Sequence, residues 1–272
     1  MKCPICGSSG KNVFDFFYRC GNCGFIFNHN KITFESKKYT QSEIEDIYFK
    51  SVKNIFDYSL KKINKYSDKG KLLDIGCGYG YFIDLALKEG WFAEGIEIEL
   101  EKYESCIKKG LKVYFSYAEK LEIPVKNYDV ITLFSVLSQT KDFELVFKNI
   151  IESIKDKGIL FIRDYNSCFH FFIFKFLSFL SFLNIKPFIF HKWNFSKKSI
   201  EILLKKYNFE IIEFLPSHPT MGDPYKTGGF LGRYGVFAFK LSYFIFSYLI
   251  YYLTFRKILI SSSFVVIARK KI

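Results

Sequence analysis

The stretch that decides the fold is "KLLDIGCGYGYFIDLALKEGWFAEGIEIE", residues 71–99. It opens on an apolar strand-like run, "KLLDI", turns at Gly76, Gly78 and Gly80, and continues as a helical pattern from about Tyr81. A second apolar run, "FAEGIEI", then delivers Glu97 near its end. Strand, glycine turn and helix put unpaired backbone N–H groups at a helix N-terminus, which suits an anionic group, and glycine lets a ligand approach the backbone closely. An acidic residue at the end of the next strand is placed to take both hydroxyls of a ribose. The pattern predicts a ligand that carries a ribose.

Two common glycine loops are excluded. A phosphate loop needs Lys followed by Ser or Thr after its last glycine, and here Tyr81 and Phe82 follow Gly80. A dinucleotide fingerprint reads GxGxxG, whereas these glycines stand at alternate positions behind Asp74.

Outward from the turn, strand-like and helix-like segments alternate. After the quoted stretch come a helix from about Leu100, the strands "KVYFS" and "YDVITLFS", a helix from about Asp142 and the strand "GILFIRD". Further on, "SKKSIEILLKKYNFEIIEFLP" reads as helix then strand and "SSSFVVIARKK" as a last strand. Ahead of the turn, apolar residues at Ile44, Ile47, Val52, Ile55, Phe56, Leu60 and Ile63 recur at helical spacing over 42–66. The alternation predicts an α/β fold, a doubly wound Rossmann-like sheet, with ligands at the carboxyl ends of its strands.

The whole chain, 272 residues with 49% hydrophobic and 20% aromatic residues, is that of a packed protein rather than a disordered one. Its 40 basic against 27 acidic residues give a net charge of +13, but the lysines are scattered along the chain, so a dedicated polyanion site ranks behind general composition bias. Two apolar stretches, about 169–190 and 236–255, stand out. Lys175 and Lys240 interrupt them, and the longest uncharged run, Leu241 to Phe255, is shorter than the about 18 to 20 residues a bilayer crossing needs. They are expected to be core or lid helices, with a place in a membrane interface as the alternative.

At the N-terminus, Cys3 and Cys6, and Cys20 and Cys23, form CPIC and CGNC pairs thirteen residues apart, each followed by glycine. Four thiolates match a tetrahedral zinc shell with no open position, so residues 1–30 are expected to form a separate module holding structural zinc, with iron as the other metal. Cys77, Cys106 and Cys168 lack paired spacing and are expected to pack in the interior. "MKCPICGSSG" has no signal-peptide core, so a reducing cytoplasm, with contact at a membrane surface as an option, is the expected location.

On these motifs, "LLDIGCGYG" resembles the first motif of class I S-adenosylmethionine-dependent methyltransferases, with Glu97 at their ribose position. "YAEKLEIPVKNYDVITLFSVLSQT" and "GILFIRDYN" resemble that family's fourth and fifth strands and the adenine contact before them, and the likeness runs over about residues 45–270. The resemblance implies a mainly parallel sheet with an antiparallel last strand over a domain at 41–272, and S-adenosylmethionine as cofactor. It implies Asp74, Gly76, Cys77, Gly78 and Gly80 at the methionine end, Glu97 at the ribose, Tyr117 and Ala118 at the adenine, and Phe134 lining the pocket. Two departures stand out: Tyr117 occupies a position where many relatives carry Asp, and Ser138 and Gln139 stand where some carry Glu and His.

The resemblance together with the cysteine pairs is similar to zinc-ribbon methyltransferases of sugar and small-molecule pathways. His191, before the late helix, is the expected catalytic base; His170 and His218 rank lower because neither adjoins a recognisable element near the cofactor end, and His29 goes with the ribbon. No NPPY or DPPY and no Pro-Cys pair follows the fourth strand, which argues against base methylation. The expected acceptor is a small molecule, glycan or lipid-linked precursor. An RNA acceptor, and a noncatalytic binding protein of the same fold, are the alternatives.

Overall fold

A computed structural model describes residues 1–28, 49–120, 126–179, 191–220 and 229–272. Residues 42–48 of the expected first helix, the second half of the 169–190 stretch and His29 lie outside the described residues.

After a three-strand N-terminal unit, β1 (Gly10–Phe14), β2 (Phe17–Cys20) and β3 (Ile26–Asn28), helix α1 (Lys50–Tyr66) leads into the alternating region. There β4 (Lys71–Ile75), α2 (Tyr81–Lys88), β5 (Phe92–Glu97), α3 (Leu100–Lys108), β6 (Val113–Phe115), β7 (Tyr128–Phe134), α4 (Phe143–Ser153) and β8 (Ile154–Tyr165) follow in turn. The chain ends with α5 (Ser167–Phe179), β9 (Trp193–Asn194), α6 (Lys197–Lys206), β10 (Phe209–Pro216), α7 (Gly229–Leu253) and β11 (Ser263–Lys270).

The main sheet has the order β10-β11-β8-β7-β4-β5-β6. The strands from β4 to β8 pair in parallel, and β11 is inserted antiparallel between β8 and β10. From β4 the chain steps outward through β5 and β6, then returns to β7 on the other side of β4, so the topological switch point lies between β4 and β7. Their carboxyl ends, where helices diverge to opposite faces, open the crevice in which such sheets bind ligands.

Both faces are covered, as near-continuous apolar strands such as "KLLDI" require. On one face Leu60 and Ile63 of α1 and Phe82, Ile83 and Ala86 of α2 pack on Leu72, Val130 and Phe161. On the other, Phe143, Val146, Phe147 and Ile150 of α4 and Ile200, Leu203 and Leu204 of α6 pack on Leu73, Ile131, Leu133 and Ile162. The helix starts are legible locally: Asp142 caps α4 by accepting from the N–H groups of Glu144 and Leu145, and Ser196 and Ser199 form a capping box on α6.

The cysteine unit is not the separate module that its composition suggests. Strand β3 pairs antiparallel with β9, Ile26 against Asn194 and Phe27 against Trp193, so the ribbon's sheet takes its fourth strand from the main domain's late segment. Phe25 stacks on Trp193 and contacts Phe195 and Phe143, which carries the main core into the ribbon without a break. The Ser167 hydroxyl donates to Gly24 O and the Ser196 hydroxyl to Cys23 O, pinning the second cysteine knuckle to the starts of α5 and α6. A unit of this size has little core of its own, and sharing one is the physical remedy.

Trp193 joins the two parts: it is buried, its Nε1 donates to Thr140 O at 2.9 Å, and its ring meets Phe143 edge-on at 5.2 Å. Trp193→Ala is expected to cost about 3–5 kcal/mol of stability. Urea denaturation checks this; a loss below about 1 kcal/mol would mean that the joint carries no weight.

Candidate active site

The turn after β4 is built on left-handed backbone. Gly76, Gly78 and Gly80 have φ of +71°, +57° and +76°, a region that side chains other than glycine strain to occupy. Crowding separates their roles. A Cβ on Gly76 would come within 2.5 Å of Val136 Cγ2, and one on Gly80 within 2.4 Å of Leu111 Cδ1, whereas a Cβ on Gly78 would meet nothing within 4 Å. Gly76 and Gly80 are packing glycines, and Gly78 leaves open space above its backbone.

Glu97 closes the turn from the neighbouring strand. Its Oε2 accepts from Gly78 N at 2.8 Å, and its Oε1 accepts from Ile98 N at 2.7 Å and Glu99 N at 2.8 Å. The Gly76 and Cys77 amides both donate to Ile96 O, so the β4 turn is held to the end of β5 at several points. Beneath it Cys77 and Cys106 are buried, the Cys106 thiol donating to Gly78 O at 3.3 Å, in agreement with an interior role.

Asp74, at 2% exposure, lies one position before the end of β4 and accepts from the Thr132 hydroxyl at 2.7 Å. Burial pushes its pKa up to about 7, opposed by the Thr132 hydrogen bond and aided by the negative charge of Glu97. A buried carboxyl with this tendency is suited to a cationic ligand group, which would restore the charged form.

Past β6, Tyr117 is 40% exposed with the Lys141 ammonium 4.3 Å over its ring, and Ala118 is half-buried with its carbonyl accepting from Asn149 Nδ2. Both follow the carboxyl end of β6, beside the Glu97 edge. Phe134 ends β7, but its ring is engaged by Phe56, Phe82 and Phe161 at 5.0, 4.7 and 5.5 Å, so it serves the core at least as much as any pocket. Gln139 is exposed and donates to Ser135 O.

At the far side of the switch point a second group of polar residues collects around the end of β8. The Tyr165 ring lies between His191 and His170, at 5.4 and 5.9 Å. His191 is fastened by Asn194, whose Oδ1 accepts from the His191 amide at 2.9 Å and whose Nδ2 donates to His191 O at 2.7 Å. Asn194 Nδ2 also donates to Ile26 O of the ribbon, which makes the cysteine unit part of the site's scaffold.

The low ranking of His170 in the sequence is corrected here. His170 lies in α5, directly after β8, and its Nε2 is 3.0 Å from Ser262 O. A carbonyl only accepts, so the proton sits on Nε2 and Nδ1 carries the lone pair. Burial drives its pKa down to about 4 and lowers that of His191 as well, so both imidazoles are neutral at physiological pH. His218 follows β10 at the same edge of the sheet, in tilted ring contact with Tyr58 at 4.2 Å and Phe244 at 4.6 Å. His170 and His218 follow β8 and β10, and His191 precedes the late helix, as read in the sequence; the strand order that gathers them was not readable locally.

The domain that positions these residues is matched by known proteins. The family model for a methyltransferase domain fits residues 48–214. The chain belongs to that family and is an S-adenosylmethionine-dependent methyltransferase. The ubiquinone biosynthesis O-methyltransferase of Pelagibacter ubique is 28% identical over 161 residues, 57% of this chain and 67% of the relative. The enzyme of the same name from Haemophilus ducreyi is 25% identical over 122 residues, 41% of this chain and 51% of the relative, so the chain spans about half of that protein's length. Among solved structures, an S-adenosylmethionine-dependent methyltransferase from Archaeoglobus fulgidus aligns with a TM-score of 0.54 at 18% identity, covering 85% of this chain and all of that one, a likeness of fold.

The cysteines Cys3, Cys6, Cys20 and Cys23 bring their sulfurs within 4.8 Å of one another. The pairs Cys3–Cys23 and Cys6–Cys20 are 3.6 and 3.5 Å apart, close to the about 3.8 Å edge of a tetrahedron with 2.3 Å metal–sulfur bonds. Gly7 and Gly24, at φ of +71° and +73°, form the two knuckles.

The raised pKa of Asp74 means that the folded protein holds its proton more tightly than the unfolded chain. The resulting stabilisation is complete below about pH 4 and is lost as pH rises through about 7. Asp74→Asn keeps an acceptor for Thr132, and the methyltransferase without cofactor is expected to gain on the order of 1 kcal/mol or more above about pH 7, a gain that fades toward pH 4. Denaturation midpoints at the two ends of that range check it; a loss of stability at the alkaline end would contradict it.

Proposed function

We propose that this methyltransferase acts on a small-molecule, glycan or lipid-linked acceptor, with a lipid-linked or apolar aromatic compound favoured, and that its ribbon holds structural zinc. S-adenosylmethionine supplies a methyl group already activated on a sulfonium, so the protein's task is mainly to align a nucleophile behind it. In this reading Asp74, Gly76 and Gly78 hold the amino-acid end. Gly78 fits that role because its backbone faces open space, and the buried Asp74 suits the cationic amino group. Glu97 takes the ribose, Tyr117 and Ala118 flank the adenine, and Cys77, Gly80 and Phe134 shape the pocket from beneath. His191, neutral and seated beside Tyr165, receives the acceptor's proton, with His170 as its neighbour in the same cluster.

The observation that supports the acceptor class is an apolar face next to the histidine edge. Helix α7 leaves Phe239 71% and Leu253 73% exposed, with Ile245, Phe246 and Leu249 between them at helical spacing, and α5 exposes Phe172 and Phe176. The two helices meet where Phe169 packs on Tyr243 at 5.5 Å. Exposed apolar area on this scale marks an interaction surface, and Lys240, Arg256 and Lys257 near it suit an anionic lipid interface. Among the described residues no helix is long and apolar enough to cross a membrane, which leaves lying on one. The two relatives named as ubiquinone biosynthesis O-methyltransferases point the same way.

The test is transfer of a labelled methyl group into fractionated cell extract. Label is expected in the organic-solvent fraction, at least tenfold over RNA and protein fractions; label confined to RNA would replace this reading with a nucleic-acid enzyme. Metal content is expected at one zinc per chain. Chelation is expected to lower the thermal midpoint and shift the fluorescence of Trp193, the ring that stacks against the ribbon. A metal-free protein with an unchanged midpoint and spectrum would remove zinc from the account.

A further inference from the structure

We propose that Arg163 binds an oxyanion, a carboxylate or phosphate group, carried by the methyl acceptor. The proposal rests on the reading above that the acceptor meets His191 beside Tyr165, the last residue of β8.

Arg163 stands two residues before the end of β8, paired with Phe134 on one side and Val265 on the other, and alternates with Ile159 and Phe161 on the face covered by α1 and α2. Its guanidinium is surrounded closely enough that desolvation lowers its pKa, while the residue as a whole keeps an intermediate exposure. It is enclosed by protein and still reachable.

Its partners are uncharged. Nε donates to the Ser217 hydroxyl at 2.8 Å and Nη1 to the Ser135 hydroxyl at 3.1 Å. The Ser217 hydroxyl spends its own proton on His218 O, which turns a lone pair toward Nε. Among the described residues no carboxylate forms an ion pair with Arg163. The adjacent Asp164 attracts it through space, but its carboxylate lies on the opposite face of the strand, where it accepts from Ser138 N and Tyr165 N and takes none of the guanidinium's hydrogen bonds. A guanidinium has five N–H donors and a fork that matches a planar or tetrahedral oxyanion; two of the five are taken here by neutral groups. Enclosing a guanidinium whose donors meet no carboxylate directly is costly, and such a charge is retained where a ligand supplies the opposite sign.

Backbone strain at the same point supports a site rather than a core contact. Ser135 has φ of +58°, a left-handed conformation unusual for a residue other than glycine, and its N–H donates to Arg163 O at 2.7 Å while its hydroxyl accepts from Nη1. The next residue, Val136, packs against Gly76 of the cofactor turn. Arg163 therefore looks out between the glycine crevice and the Tyr165–His191 group, with His218 on its outer side.

The experiment titrates the wild-type methyltransferase, saturated with S-adenosylhomocysteine, with three probes: benzoate, its neutral isostere benzamide, and inorganic phosphate. Calorimetry with S-adenosylhomocysteine alone, run first, tests the cofactor reading independently. Benzoate or phosphate is expected to bind at least tenfold more tightly than benzamide, and the stronger of the two tells which oxyanion the site prefers. In Arg163→Met that preference is expected to disappear while S-adenosylhomocysteine affinity stays within twofold; Arg163→Lys is expected to keep part of it. Equal binding of benzoate and benzamide by the wild type, or a preference that survives in Arg163→Met, overturns the proposal. Should Arg163→Met fail to fold, the wild-type comparison and Arg163→Lys decide.

Discussion

The contact on which the site depends is the Glu97 carboxylate with its three amide donors. Gly78 N comes from the turn after β4, and Ile98 N and Glu99 N from the turn after β5. One buried anion thus ties together two loops that diverge from adjacent parallel strands, each bond being of the charge-assisted kind worth about 1.5–3 kcal/mol. The geometry has a functional sense. A carboxylate has about four lone-pair sites; with backbone amides on three, the group is fixed in place, and on the proposed cofactor reading a sugar hydroxyl would meet an oriented acceptor rather than a mobile side chain. Its charge also acts on Asp74, helping to hold that carboxyl near neutrality until a cation approaches.

A second constraint links the ribbon to the chemistry. Four cysteines gather at the end of a small sheet, and that sheet is completed by Trp193 and Asn194. Asn194 in turn holds the backbone of His191. The path from sulfur cluster to imidazole runs through one β-ladder and one amide side chain, so the N-terminal unit helps to position His191.

The sheet was largely legible because its signals are local. "KLLDIGCGYG" carries apolar strand, glycine turn and helix start within ten residues, and the strand ends at Ile75, Glu97 and Phe134 fall where the apolar runs stop. The antiparallel insertion of β11 followed from the family resemblance rather than from its residues. What the sequence hid was long-range. The two-residue strand β9 has no periodicity to read, so the union of ribbon and domain was invisible. His170 lay inside an apolar stretch, "FHFFIFKF", whose composition pointed to burial and not to a position against Tyr165. Arg163 read as one polar residue at the end of a strand, and only the meeting of Ser135 and Ser217 around it reveals an enclosed cation. Helix α7 is longer than its uncharged core, beginning at Gly229, and its outward face shows that strong apolarity here does not mean burial.

The central claim is that the crevice between the turn at Gly76–Gly80 and the end of β5 is the cofactor's seat. A crystal structure of the protein with S-adenosylhomocysteine tests it most directly. The account predicts a ribose hydroxyl on the Glu97 carboxylate and the amino-acid tail over Gly78 beside Asp74. A nucleoside bound elsewhere, with Glu97 still occupied only by its three amides, would contradict it.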